Sequence, residues 1–363
     1  MNMFLAHSAA AAAQPSWSQM LRKRYFPTPL QGLVSAVSLA LLLLILWKLL
    51  DWAFLSAVFG AEHGPAECRA AGGACWSVIA NRWRIIFFGL YPYAEQWRSA
   101  LACVTVVAMI VLSCVPSFWR ARRLAAVWII GTAVYYLLMK GGILGLRYVG
   151  EEQWGGLALT LFIFVATCLI GFPLSIVLAL LRRSNLPVIA RGTGLFIDAV
   201  RSLPLLSILF AFAVVVPFML PGWLQAGKLY RVIFGAALFF AAYQAEIIRG
   251  GLQGVPRGQE EAAMALGIGY WHRVGKILLP QAMRNALPAT INQFVIGFKE
   301  TSLVIVVGFF EILASGNAAY GTGEWTFAYR EVYAFIALIY FVFTYSLSRY
   351  GAYLERRMAI GSR

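Results

Sequence analysis

The chain has 363 residues, of which 61% are hydrophobic and 12% are charged, and its mean hydropathy is +0.74. A soluble core of this length does not need so much apolar surface, so the composition excludes an ordinary soluble domain and indicates a polytopic membrane protein. The net charge of +15 does not indicate nucleic-acid binding, because the basic residues form short clusters beside apolar runs, as topology signals do.

The N-terminal third is predicted to contain a cytoplasmic tail and three membrane spans. Residues 1–29 are rich in Ala and then basic, and the apolar run at 32–50 is long enough to form an uncleaved anchor. A more polar loop at 51–98 is expected outside the membrane. Two further spans, at 100–118 and 124–139, are separated by a short turn that contains three arginines.

Two cysteines of the outer loop, Cys68 and Cys75, bracket a short Gly-rich stretch. In an oxidising compartment this pair is expected either to form a disulfide or to remain as two unpaired loop cysteines. Neither the cysteines nor the three histidines of the chain fall into a cluster with metal-ligand spacing, so no metal site is predicted.

The C-terminal part is predicted to carry five more spans, at 153–181, 202–220, 232–245, 286–314 and 332–348. The first has no charge and corresponds to about 43 Å of helix, more than a roughly 30 Å hydrocarbon core, so it is expected to tilt or to kink. With both termini inside, 19 of the 30 Lys and Arg residues fall on the cytoplasmic side and 10 on the outer side. This excess agrees with the positive-inside rule.

A more polar stretch lies between the spans at 232–245 and 286–314. Pro256 is predicted in the first turn of a short helix, where a missing amide hydrogen costs nothing, and two glycines, Gly267 and Gly269, are predicted to end that helix. A second helical piece is predicted from Tyr270 to Leu279, stopping at Pro280.

The short helix presents a small apolar face. Ala262, Ala263 and Leu266 occupy neighbouring positions of that face, which suits the groove of a partner protein. The alternative interpretation is a simple interfacial helix between two spans.

A specific spacing surrounds this helix: Glu-Ala-Ala, three residues, Gly, nine residues, Ile, one residue, Leu-Pro. It resembles the cytoplasmic coupling loop of ABC importer permeases, with the motif positions at Glu261, Ala262, Ala263, Gly267, Ile277, Leu279 and Pro280. The flanking segments at 201–204, 242–250 and 299–303 resemble the polar amino acid permease family. The resemblance covers 155–357, and the N-terminal part, with Gly73-Ala74-Cys75-Trp76 and Tyr91-Pro92, resembles the general L-amino acid permease subgroup.

The resemblance implies an all-α fold with about eight transmembrane helices and a cytoplasmic coupling helix. The importer domain would occupy 155–357 with its coupling loop at 256–280. An N-terminal transmembrane extension at 30–154 would precede it, and a short tail at 358–363 would follow.

The resemblance also implies a permease subunit that moves L-amino acids across the bacterial inner membrane by alternating access, with both termini cytoplasmic. Its implied partners are ABC ATPase subunits, a second permease subunit and a periplasmic amino-acid-binding protein, besides the lipid bilayer. ATP and Mg would bind to the ATPase, and this chain itself would need no cofactor.

The chain contains no Gly-x-x-x-x-Gly-Lys-Ser/Thr stretch, and none of its lysines is followed by Ser or Thr. The ATPase is therefore expected in another polypeptide, and the chain is predicted not to be an enzyme and to have no catalytic residue. Ala262, Ala263 and Leu266 would pack in an ATPase cleft. Glu261 would pair or hydrogen-bond there, and Gly267 would let the chain turn close to the partner.

Four polar residues, Lys299, Glu300, Thr301 and Ser302, interrupt the apolar run of a predicted span. Charges inside a span are costly unless they face a cavity, a partner or each other, so this segment is predicted to line the substrate pathway or a gate. The alternative is a structural Lys-Glu pair that pins a kink.

Arg201 lies at the cytoplasmic end of its span and is a candidate for an inner gate, or else a boundary arginine that reaches the interface. On the following span, Glu246 and Arg249 are three residues apart and are predicted to pair on one helix face.

A rival interpretation is a self-sufficient secondary transporter or channel for small polar solutes. It explains the spans, but it leaves the coupling loop unexplained, and few acidic groups lie within the spans to carry protons. A membrane-embedded enzyme is a third class, which no Cys/His/Asp constellation supports.

Overall fold

The computed structural model describes residues 17, 25, 26, 28–321 and 323–360 of the chain. The fold is all-α, as predicted. The described helices belong to two compact units, and the boundary between them along the chain lies between Ser77 and Val78. Most of the N-terminal tail assigned to 1–29, and the last three residues of the tail assigned to 358–363, lie outside the described residues.

The first unit consists mainly of α1 (Pro29–Leu50). Pro29 starts this helix, and the Thr28 hydroxyl oxygen accepts the amide of Gln31 at 3.3 Å, which caps the first turn. A π-helical turn, Asp51–Leu55, extends the helix to 27 residues, and none of the side chains of α1 is buried in the chain. The predicted first span is confirmed, with an end five residues later than expected.

A disulfide closes the segment that follows α1. The short helix α2 (Pro65–Ala71) carries Cys68, which is bonded to Cys75 across a Cα–Cα distance of 5.3 Å. Val58 donates its amide to the Ala74 carbonyl at 2.8 Å and accepts the Trp76 amide at 2.9 Å. The chain therefore folds back on itself beside the disulfide, and of the two alternatives for these cysteines the paired one holds.

The second unit begins with three helices: α3 (Ser77–Phe88), α4 (Gln96–Cys114) and α5 (Ala121–Lys140). The side chain of Arg98, on α4, is fully buried and donates to the Leu138 carbonyl at 2.7 Å and to the Arg147 carbonyl at 2.8 Å. Buried charges need such partners, so Arg98 fixes α4 against the C-terminal end of α5. The two predicted spans of this region are confirmed with shifted bounds.

A C-terminal helical domain follows as one set of helices joined by short turns. Its elements are α6 (Gly156–Arg182), α7 (Pro187–Ser202), α8 (Leu205–Phe210), α9 (Val216–Met219), α10 (Lys228–Gln253), α11 (Arg257–Ala265), α12 (Tyr270–Arg273), α13 (Leu279–Glu300), β1 (Phe310–Glu311), α14 (Ile312–Gly321) and α15 (Tyr329–Ile360).

The centre of the domain is α10, which packs between α6 and α13. Glycines allow this close approach: Gly171 of α6 faces Phe240 and the Ala237 carbonyl, and Gly251 of α10 faces the Ala282 carbonyl and Ala286. Small residues at helix interfaces let backbones meet closely in membranes, where packing rather than water expulsion holds helices together.

Seven described helical segments are long and apolar enough to cross a membrane, and an eighth span results if the bent pair of α7 with α8 and α9 counts as one. The two parts of that pair meet at 101°. The predicted span at 202–220 therefore corresponds to α8 and α9 alone. The helix α7 was not predicted, because its sequence alternates small, polar and apolar residues without a long apolar run.

One prediction about the region after α11 is wrong. Helical structure does not stop at Pro280: a π-helical turn, Val274–Leu278, leads directly into α13, and Pro280 occupies its first turn, where no amide hydrogen is needed. The predicted span at 286–314 is interrupted where the polar residues predicted it, since α13 ends at Glu300 and a 3₁₀ segment runs to Val307. At Gly308, with φ of 85°, the chain turns toward β1.

Candidate functional site

The candidate site is the helix α11, here called the coupling helix (Arg257–Ala265), which follows α10 after a three-residue turn. Pro256 lies just before the helix rather than inside its first turn. At the other end, Gly267 has a φ of 69° and donates to the Met264 carbonyl at 2.9 Å, while Ile268 donates to the Ala263 carbonyl at 3.0 Å. This pair of bonds is a Schellman cap, and it ends the helix at the predicted glycine.

The exposed face of the coupling helix is smaller than the predicted one. Leu266 is 79% exposed and Met264 is 50% exposed, and Glu261 and Ala262 are also exposed. Ala263 is only 3% exposed, because it packs toward the body of its own chain. Ala263 is therefore a structural residue of the helix, and the assignment of this side chain to a partner-facing surface is corrected.

Glu260 attaches the coupling helix to the rest of the domain. Its carboxylate accepts a hydrogen bond from Arg183, in the turn between α6 and α7, and lies 3.4 Å from the guanidinium of Arg273 on α12. The Glu260 side chain is 26% exposed and that of Arg273 is 15% exposed. Partly buried ion pairs are screened less than surface pairs, so the helix is held from two sides by direct charge contacts.

A second carboxylate, Glu246, lies near three arginines at the C-terminal ends of α6, α7 and α10. It lies 3.0 Å from Arg182, 2.9 Å from Arg249 and 3.9 Å from Arg201, and its side chain is 13% exposed. The predicted pairing of Glu246 with Arg249 is confirmed. Arg182 also forms two hydrogen bonds with Asp198 of α7, at 3.1 and 3.3 Å.

Arg201 is half-buried at the end of α7. Its guanidinium lies 5.2 Å from the centroid of the Tyr243 ring, and the Tyr243 hydroxyl donates to the Arg201 carbonyl at 3.2 Å. The arginine therefore contacts α10 through an aromatic ring and through Glu246, which joins the bend after α7 to the central helix.

The polar segment 299–302 sits where α13 changes into a 3₁₀ turn. The hydroxyls of Thr301 and Ser302 donate to the carbonyls of Phe298 and Lys299 at 2.7 and 2.9 Å, so both cap the end of the helix. Thr301 is 4% exposed, whereas Lys299 is exposed and Glu300 is half-buried. Among the residues that the structure describes, neither Lys299 nor Glu300 forms an ion pair, so the two do not pin a kink as a pair.

A further polar cluster lies at the opposite end of the helices. Glu151 accepts hydrogen bonds from Tyr230 at 2.5 Å and from Lys140 at 2.9 Å, and the Tyr136 and Tyr230 hydroxyls are 2.7 Å apart. Burial alone would raise the pKa of Glu151, but the bonds from Tyr230 and Lys140 outweigh it, and the net effect lowers this pKa. The cluster joins α5 to α10 of the C-terminal helical domain.

Glu311 precedes α14 and is fully buried. Its two carboxylate oxygens accept the amides of Leu313 and Ala314 at 2.8 and 2.9 Å, which satisfies the first turn of α14. Burial raises the pKa of Glu311 to about 7, although the two amide bonds act in the opposite direction.

The geometry describes a set of apolar helices with a charged and exposed helical element at one end. Residues 171–360, just over half of the chain, match the family described as the binding-protein-dependent transport system inner membrane component. The chain belongs to this family. It is an ABC importer permease subunit of the inner membrane and not an enzyme, and the ATPase is a separate subunit.

Relatives similar to the permease over their whole length carry amino-acid transport names. The inner membrane amino-acid ABC transporter permease protein YhdY of Escherichia coli (strain K12) is 37% identical, over 99% of this chain and 98% of its own. The glutamate/glutamine/aspartate/asparagine transport system permease protein BztC of Rhodobacter capsulatus is 32% identical, over 98% and 96%. The glutamate/aspartate import permease protein GltK of Escherichia coli O6:H1 is 34% identical, over 56% of this chain and 92% of its own.

The coupling helix of the permease was found from its motif, but its anchors were not. Glu260 stands next to the motif, and its partners Arg183 and Arg273 are distant in sequence, so no local spacing connects them. The available signal was the unusual density of arginine at the ends of α6 and α10. Sequence analysis attributed that density to membrane topology alone.

Proposed function

We propose that this permease subunit imports amino acids, driven by a separate ABC ATPase that binds ATP and Mg. The names of relatives that align along nearly the whole chain support amino acids as the cargo. The structural observation that carries the coupling role is the exposed face of α11, where a leucine that is 79% exposed projects beside Ala262 at the end of a short helix.

In this proposal Leu266 and Ala262 enter a cleft of the ATPase, and Glu261 pairs or hydrogen-bonds at its edge. Movement of the coupling helix then reaches the membrane through Glu260, which contacts the end of α6 and α12. Because ion pairs of this kind couple two elements without a flexible linker, a displacement of the ATPase becomes a displacement of spans. That is the step that alternating access requires.

The permease is further proposed to work with a second permease subunit and with a periplasmic amino-acid-binding protein. Both termini are placed in the cytoplasm. The excess of Lys and Arg on that side supports this topology, and so does the disulfide after α1, since disulfides persist in oxidising compartments. Lys299, with Glu300 and Arg201, remains proposed for the substrate pathway or a gate.

Co-purification with the ATPase tests the docking role. In the L266E variant a charge replaces the most exposed apolar side chain of the coupling helix, and we expect loss of most of the bound ATPase and of amino-acid-stimulated ATP hydrolysis. The matched control is V188E, because Val188 is 85% exposed in the first turn of α7 and lies outside the coupling loop. Equal ATPase retention by the two variants would contradict the proposal.

A further inference from the structure

A cavity of about 520 Å³ lies beside the coupling helix. It is bounded by the ends of α6 and α10 and by the start of α11. Four arginines, Arg182, Arg183, Arg249 and Arg257, line it, and Glu260 is its one acidic lining residue in the described part of the chain.

The charges around this cavity do not balance. Arg182 and Arg249 share the carboxylate of Glu246 with Arg201, Asp198 is a second partner of Arg182, and Arg183 shares Glu260 with Arg273, so these five arginines face three carboxylates.

Arg257 is exposed, and no carboxylate of the described residues comes within ion-pair distance of it. The cavity therefore carries an excess of positive charge next to low-dielectric helix ends, where charge interactions are stronger than in bulk water.

We propose that this cavity binds a phosphate group. Guanidinium groups present planar forks of donors that match phosphate oxygens, and several of them surround one space here. The coupling helix has no side-chain cap at its N-terminus, and Pro256 and Arg257 at that end line the cavity.

The position of the cavity leaves two sources for the phosphate. The spans α6 and α10 end at Arg182 and Gln253, so the headgroup of an anionic phospholipid of the inner leaflet reaches this level. A free phosphate of the cytoplasm has the same chemistry. Either ligand would bridge the turn after α6 and the start of the coupling helix, the two parts that Glu260 also joins.

Binding to the purified full-length chain in detergent tests the proposal without any transport measurement. One arm counts bound phosphatidylglycerol against phosphatidylcholine by native mass spectrometry, and the other measures radiolabelled inorganic phosphate by equilibrium dialysis. We expect R257Q to lower binding of the recognised probe roughly tenfold, since it removes a charge-assisted contact, and R257K to retain more than R257Q.

The matched control is R191Q, because Arg191 is an exposed arginine of α7 that does not line the cavity. Selective binding of phosphatidylglycerol supports the site and assigns it to lipid, and selective binding of inorganic phosphate supports it and assigns it to a soluble anion. Equal loss in R257Q and R191Q, or no binding of either probe to the wild-type chain, would overturn the proposal. If R257Q does not elute as a folded species, R183Q replaces it in the same comparison.

Discussion

Glu311 is a buried carboxyl group whose pKa burial raises to about 7. The folded chain therefore holds a proton that the unfolded chain releases above about pH 4.5, and the stability of the fold falls as the pH rises from about 4.5 to 7. We expect E311Q to remove this pH dependence, because the amide stays neutral and its oxygen still accepts an N–H.

Thermal unfolding of the detergent-solubilised chain at pH 5 and at pH 7.5 measures the effect of E311Q. The difference between the two pH values should shrink in E311Q but not in E152Q, which changes an exposed carboxylate near the same end of the helices. An unchanged difference in E311Q would show that another group titrates.

Tyr230 supplies the shortest contact of the polar cluster around Glu151. The Y230F variant removes a donor to that carboxylate and the contact with Tyr136, so we expect a loss of about 1–3 kcal/mol of unfolding free energy. The control is Y93F, since Tyr93 is 71% exposed and the variant keeps its ring stacked under Arg84. Equal unfolding midpoints for the two variants would count against a structural role of this cluster.

At the scale of a single element, the coupling helix depends on how it ends. Gly267 has a φ of 69°, whereas Gly269 has a φ of −62°, and a Cβ added at either position meets no atom within 4 Å. G267V therefore differs from G269V in backbone strain alone, which we expect to cost about 1–2 kcal/mol at the helix end.

We expect the backbone amides of 257–268 to exchange with solvent faster in G267V than in G269V. We also expect weaker ATP-driven uptake in G267V, with normal membrane insertion of both variants. Hydrogen exchange and transport assays measure these two effects. Equal uptake by G267V and G269V would show that coupling does not depend on the glycine cap of the helix.

At the contact between α10 and α13, the adjacent glycines Gly250 and Gly251 allow a similar comparison. A Cβ at Gly251 would overlap the Ala282 carbonyl and crowd Ala286, whereas a Cβ at Gly250 meets no atom within 4 Å. G251A should therefore lower the unfolding free energy by about 1–3 kcal/mol, and G250A should leave it equal or slightly higher, because alanine favours helix. Thermal unfolding of both variants measures the difference, and equal midpoints would contradict the packing shown here.

Over the whole molecule, the spans and the coupling helix were readable from sequence because each depends on local features. A long apolar run identifies a span from its own sequence, without reference to neighbouring elements. The helix from 257 to 265 is bounded by a proline and by a glycine. The features that were not predicted correctly depend on neighbouring structure. Pro280 has the sequence signature of a helix breaker, but the preceding π-helical turn places this proline in the first turn of α13. The helix α7 has too few apolar residues to resemble a span.

The ion pairs that hold the coupling helix also depend on the surrounding fold and were not predicted from the sequence. Glu260 and Arg183 are 77 residues apart, and only the parallel packing of α6 and α10, which places their C-terminal ends side by side, brings the two residues together. The same folding buries Ala263, which the motif alone assigned to the partner-facing surface.

This permease is expected to move amino acids only when a separate ATPase drives it. The most direct measurement is uptake of radiolabelled L-amino acids into proteoliposomes that contain the chain with its permease and binding-protein partners, with and without the ATPase subunits. We expect accumulation that requires both the ATPase and ATP. Accumulation by the chain alone, driven by an ion gradient and unaffected by nucleotide, would contradict it.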